Sequence, residues 1–156
     1  METNMLPIAI FFASIFTINI LLTNYLGMCS FLSVSRQIKT SWGLGIAVTF
    51  VMATTSLLNW IVYHLILVPL GLEYLRFIVF IIVIAAFVQL VEMVIERVSE
   101  ALYASLGIFL PLITVNCAIL GVSLFMVIRD YDLLASFVFG LGSGIGWMLA
   151  ILAMAG

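Results

Sequence analysis

The chain has 156 residues, of which 66% are hydrophobic and only 8% charged, and its mean hydropathy is +1.40. Soluble domains carry roughly 25% charged residues, so the solvent this chain is built for is the lipid bilayer. A net charge of −2 excludes nucleic acid as a partner, because no basic patch is present to neutralise phosphates.

The first apolar segment runs from about Met5 to Ser35. As one helix it would be roughly 46 Å long against a hydrocarbon core of about 30 Å, so an interruption is expected. Thr23, Asn24 and Gly27 place that interruption just before Cys29. The N-terminus lacks the positive region of a cleaved signal peptide, since Arg36 is the first basic residue. The segment is therefore read as a permanent span. Arg36, Gln37, Lys39 and Thr40 form a short polar loop. A second span runs from about Leu44 to Leu70, with Pro69 and Gly71 as its stop. The third runs from about Leu72 to Ile95 and ends at Glu96-Arg97-Val98-Ser99-Glu100. The fourth, from about Leu102 to Ile128, carries Pro111, Thr114, Asn116 and Cys117 in its middle. A proline there removes a backbone donor, and lipid tolerates this only where the freed groups meet protein or a cavity. After the loop Arg129-Asp130-Tyr131-Asp132, a fifth span from about Leu133 reaches Gly156. With loops alternating sides, Arg36, Lys39 and Arg97 fall opposite Arg76 and Arg129, which favours the N-terminus outside.

The predicted fold is an all-α integral membrane protein, a single transmembrane domain over residues 1–156. Cys29-Ser-Phe-Leu-Ser-Val34-Ser35 matches Cys117-Ala-Ile-Leu-Gly-Val122-Ser123 in the form Cys-x-x-Leu-x-Val-Ser, a displacement of 88 residues. A Gly-Leu-Gly follows each loop, at Gly43–Gly45 and Gly140–Gly142. Three spans separate the copies. An odd number inverts the second copy, as in the inverted repeats of many transport folds. Repeat one covers about residues 5–96 and repeat two about 101–156. The second lacks a counterpart of the third span, so five spans are expected where two full repeats would give six.

Cys29 and Cys117 are the candidate site residues. From the residues alone they are inert small hydrophobes, a disulfide, or half of an iron–sulfur site, which normally takes four thiolates. Glu92, one turn from Gln89 and Glu96, is either an ion-path carboxylate or a side chain reaching the interface. His64 reads as interfacial, and Trp42, Trp60, Tyr63, Tyr74 and Tyr103 as an aromatic belt near span ends. The Ser-Val-Ser element, its Gly-Val-Ser counterpart and Asn116 are expected to bond backbone groups freed at the breaks. The glycines from Gly140 to Gly146 are packing residues, with no βαβ unit to make a nucleotide loop. No catalytic triad, Walker loop or HExxH is present. A secondary transporter with incidental cysteines, or a membrane scaffold, remains open at this point.

Five stretches resemble one family. They are Leu26-Gly-Met-Cys29, Val34-Ser35-Arg36, Gly43-Leu-Gly45, Gln89-Leu-Val-Glu92-Met93 and the block from Leu106 through Pro111 and Cys117 to Gly121. The family contains the E-type membrane component of the sodium-translocating NADH:quinone reductase and the A-type component of the Rnf electron-transport complex. Val115-Asn-Cys117, Arg129-Asp-Tyr131 and Gly142–Ile151 are closer to the first. The short connection Leu67–Leu75 is closer to the second. The resemblance implies six spans paired with a homologous, inverted subunit of the D type in a bacterial inner membrane. It also implies a 2Fe–2S cluster between the two, to which Cys29 and Cys117 are the matching ligands here. NADH, flavins and quinone would be bound by other subunits, and electron transfer through the cluster would accompany sodium transport. The family continues past the position of Gly156 with a basic loop and a sixth span.

Overall fold

The computed structural model describes residues 7–17, 19–25, 28, 29, 32, 38–71, 73–98, 100, 101, 104, 113, 116–129 and 131–155. The described elements are helical. Helix α1 spans Pro7–Ile15, α2 Ile20–Asn24, α3 Ile38–Val62, α4 Arg76–Val98, α5 Cys117–Ile128 and α6 Leu133–Ala155. Three helices among the described residues are long and apolar enough to cross a membrane: Ser41–Leu70, Arg76–Val98 and Leu133–Met154. These are the second, third and fifth spans expected from sequence. α5 is the far half of the expected fourth span, whose Pro111 lies outside the described residues.

The first segment is interrupted twice among the described residues, once between α1 and α2, earlier than its composition indicated, and again at Tyr25, beside Thr23 and Asn24. α1 ends at Ile15, Asn19 stands outside the helix, and Thr23 and Asn24 lie inside α2. The residue that stops α2 is Tyr25, at φ 59°, a left-handed conformation uncommon for a bulky side chain. Gly27, which sequence placed at the break, lies outside the described residues. Thr23 and Asn24 form the last turn of α2, so the helix does end where they stand. The earlier break forms where Asn19 supplies side-chain partners to backbone groups on both sides.

The end of the second span follows the expectation closely and adds a detail. α3 continues through a single π turn, Tyr63–Leu67, into Val68–Leu70. Pro69 has no N–H to give, and its ring would press on the carbonyl one turn back. Widening the turn relieves that contact, and the Val68 N–H reaches the Tyr63 carbonyl. Gly71 then ends the helix in the left-handed conformation, at φ 68° and ψ 24°.

α6 is the centre of the packing. Along Gly140-Leu-Gly-Ser-Gly-Ile-Gly146 every second residue is glycine, so the glycines alternate between two sides. A Cβ on Gly140 would strike Ser56, and one on Gly144 would lie 2.7 Å from Thr49 Cα. A Cβ on Gly142 would lie 2.9 Å from the Phe11 carbonyl oxygen, and one on Gly146 3.0 Å from that of Ile15. One side thus receives α3 and the other α1. The pairings of Gly45 with Met148 and of Gly140 with Ser56 make α3 and α6 antiparallel. Where backbones approach this closely the contact is dispersion, the attraction left between helices in lipid. Trp147, Phe139, Met52, Leu44 and Val48 complete this core.

Candidate functional site

Several hydroxyls within these helices are satisfied locally, whereas those of Ser136 and Ser143 in α6 are buried with no hydrogen-bond partner among the described residues. Ser14 donates to the Ile10 carbonyl at 2.6 Å, Thr49 to Gly45 at 2.7 Å and Thr55 to Val51 at 2.7 Å. This back-bonding lets buried Ser and Thr sit in apolar surroundings without a partner from another element. The polar groups that reach beyond their own turn mark the places where the architecture is pinned. Asn59 of α3 donates to Ser123 Oγ of α5 at 2.6 Å, and Ser123 donates in turn to the Ile119 carbonyl. Ser123 therefore joins two spans instead of bonding backbone at a break, as sequence had indicated.

One end of the bundle is closed by the loop after α5. Trp60 donates to the Tyr131 carbonyl at 2.9 Å, tying α3 to that loop. Arg129 reaches the Tyr131 hydroxyl at 3.3 Å and lies 5.8 Å from the ring centres of both Phe125 and Phe139. Its charge thus sits among aromatic faces that attract cations. His64 is exposed, stacked on Trp60 at 4.1 Å, with Nδ1 3.0 Å from the Trp60 carbonyl oxygen. Trp42 and Tyr74 are exposed and Tyr63 is half-buried. Tyr103 lies outside the described residues. Glu92 is half-buried near the end of α4, with Gln89 and Glu96 exposed around it.

Two asparagines, one of them inconspicuous in the sequence, organise the helix starts. Asn19 is 4% exposed. Its Oδ1 accepts from the N–H groups of Leu21 and Leu22 at 3.1 and 3.3 Å, capping α2. Its Nδ2 donates to the Ile15 carbonyl at the end of α1 and to the Gly146 carbonyl of α6, both at 3.0 Å. One side chain thereby closes both ends of the break and fastens it to α6. Asn116 is 2% exposed and caps α5, its Oδ1 accepting from the Ala118 N–H at 2.9 Å. Its Nδ2 is buried and has no hydrogen-bond partner among the described residues. The sequence signal for Asn19 is the pair Thr17-Ile18-Asn19 and Thr114-Val115-Asn116, which a search keyed on cysteines passes over.

Cys117 is the first residue of α5 and half-buried, and Cys29 is exposed on the surface of the chain. The two are thiols and not a disulfide. Helix Cα–Cβ bonds tilt toward the N-terminus, so that of Cys117 leans toward the mouth of α5. The positive end of the α5 helix dipole lies at that mouth. Among the described residues, no group of three or more His, Cys, Asp or Glu side chains converges to hold a metal ion.

A family model for the Rnf-Nqr subunit, a membrane protein, matches residues 7–156. The chain belongs to the Rnf-Nqr family of membrane subunits. Its relatives include proteins named as the E component of the Na(+)-translocating NADH-quinone reductase. That of Psychromonas ingrahamii is 53% identical over 96% of this chain and 79% of its own length. That of Serratia proteamaculans is 53% identical over 96% and 78%, and that of Histophilus somni 52% over the same shares. Family membership and the three long apolar helices together make this a multi-pass membrane protein.

Proposed function

We propose that the chain is a membrane subunit of a sodium-translocating NADH:quinone reductase in the bacterial inner membrane. The observation that carries this reading is 53% identity across 96% of the chain to proteins bearing that name. NADH, flavins and quinone are bound by other subunits of the complex. This chain contributes Cys29 and Cys117 as two of the four thiolates that hold a 2Fe–2S cluster, and a homologous, inverted D-type subunit contributes the others. When bound, such a cluster supplies a one-electron carrier within the membrane part of the complex.

The residues fit that group. The chain has two cysteines, half of a four-ligand set. Cys29 is exposed on the chain surface, where a ligand shared with another subunit has to be. Cys117 sits at a helix N-terminus beside a buried amide donor that meets no acceptor among the described residues. Sulfur ligands of a negatively charged cluster accept such donors.

The inverted repeat belongs to this reading. Asn19 and Asn116 each cap a helix that starts after a break. From residue 19 to 116 the displacement is 97, as it is from Gly43 to Gly140. In that register α3 and α6 are counterparts, and they pack antiparallel. The cysteine-to-cysteine match, displaced by 88, is a second register.

Iron analysis and EPR of the purified complex test the reading. Cys29→Ser and Cys117→Ser are each expected to remove the cluster's iron and its signal while the subunits still co-purify. Iron and signal unchanged in both variants would reject it.

A further inference from the structure

We propose that Asn116 is a positioning residue whose carboxamide Nδ2 donates a hydrogen bond to a sulfur of the iron–sulfur group held at Cys117, raising its reduction potential. The inference rests on the reading just given. It comes from a comparison within the chain. Asn19 and Asn116 do the same work at the starts of α2 and α5, each accepting backbone N–H groups through Oδ1. Their amide ends differ. That of Asn19 is committed to the carbonyls of Ile15 and Gly146. That of Asn116 is buried with its residue and meets no acceptor among the described residues. A buried N–H left without an acceptor is destabilising, and an apolar replacement for that end of the side chain would avoid it.

The cap fixes where the orphaned amide lies. With Oδ1 held 2.9 Å from the Ala118 N–H, Nδ2 stays at the mouth of α5. Cys117, the next residue, is the first of α5, and its Cα–Cβ bond tilts toward the same mouth. The acceptor the amide lacks is therefore one carried in by the neighbouring thiolate. Thiolate and bridging sulfide are both such acceptors, and hydrogen bonds to them stabilise the more negative, reduced form. The positive end of the 12-residue helix α5 acts in the same direction.

The test separates the donor from the cap. Ser is as good a capping residue as Asn and Asp is no worse, yet neither offers the amide donor, and Asp adds a negative charge. In the purified complex, redox titration followed by EPR is expected to give a more negative midpoint in Asn116→Ser and a still more negative one in Asn116→Asp. Iron content should stay at the wild-type level in both. In Asn19→Ser the midpoint should not move, although thermal stability falls. Wild-type midpoints in both Asn116 variants, with iron retained, would overturn the inference and leave the cluster assignment standing. Iron lost from Asn116→Ser, with the residual signal at the wild-type midpoint, would overturn it equally, reducing Asn116 to a cap. Failure of the underlying reading is recognised separately, by iron that survives Cys117→Ser.

Discussion

Helices α3 and α6 each have 44% of their membrane-length windows buried, whereas α4, the most apolar of the three, has 17%. In water the order would be reversed, because apolar surface drives burial there. In lipid the tails are as apolar as leucine, and close approach decides which helices pack. α6 has Gly140, Gly142, Gly144 and Gly146 along its contacts. α4 has Phe77, Ile78, Ile81 and Ile82 on its exposed sides and buries only the stripe Phe80, Ile84, Val88. The most hydrophobic helix is thus the one left facing outward, toward lipid or the other subunits.

The strongest way to break this contrast is to fill the α3–α6 contact. Gly144→Leu puts a side chain where even a Cβ would lie 2.7 Å from Thr49 Cα, which is backbone and cannot retreat. Overpacking of this kind costs about 1–3 kcal/mol or more, and here the helices must part. The complex is expected not to assemble, read as loss of co-purified subunits. Gly45→Ala should be milder, because the atoms it meets belong to the flexible Met148 side chain. A Gly45→Ala complex as damaged as Gly144→Leu would show that backbone approach is not what distinguishes the pair.

A smaller effect is expected at the break fastened to α6. Asn19→Ala removes the cap of α2 together with the bonds to Ile15 and Gly146, and leaves those carbonyls to find other partners. Loss of a cap alone costs about 1 kcal/mol, so a total of roughly 2 kcal/mol is expected once the lost carbonyl bonds are added, measured as lowered thermal stability of the complex in detergent. Asn59 and Ser123 come next. Interhelical side-chain hydrogen bonds in membranes contribute about 0.6 kcal/mol on average and up to about 1.7. A double-mutant cycle of Asn59→Ala and Ser123→Ala should give a coupling in that range. Zero coupling would remove the 2.6 Å bond as a link between α3 and α5.

Much of this was legible in the residues, for reasons that can be named. Continuous apolar runs gave the three long helices, since a helix satisfies its backbone groups within the segment and so can cross lipid. Pro69 and Gly71 gave the end of the second span, because one lacks a donor and the other takes the left-handed conformation freely. The helix end beside Thr23 and Asn24 was legible, since α2 stops at Tyr25, but the earlier break at Asn19 was not. Polarity does not break a helix, whereas a side chain that replaces both missing backbone partners lets it break, as Asn19 does. The cysteines were legible as types, but among the described residues no group of three or more metal-ligating side chains gathers to complete a site around them. The orphaned amide of Asn116 could not be read at all, because an absent hydrogen bond has no sequence signature.

The least disruptive change expected is on the outer side of α4, and it sharpens the comparison within a single helix. Ile82 is 61% exposed and Ile84 3% exposed, two residues apart. Truncating Ile84 to Ala opens a gap in the stripe that meets the rest of the bundle, and buried Ile→Ala changes cost about 2–5 kcal/mol in water-soluble cores. In lipid the transfer component largely vanishes and the lost packing remains, so a value near the lower end is expected. Ile82→Ala exchanges one apolar contact surface for another and should fall within about 0.5 kcal/mol of wild type, as surface changes do. Thermal unfolding of the two complexes side by side measures the difference. Equal losses at both positions would mean that the outer side of α4 is packed as tightly as its inner stripe, and that burial in the chain by itself understates how α4 is held.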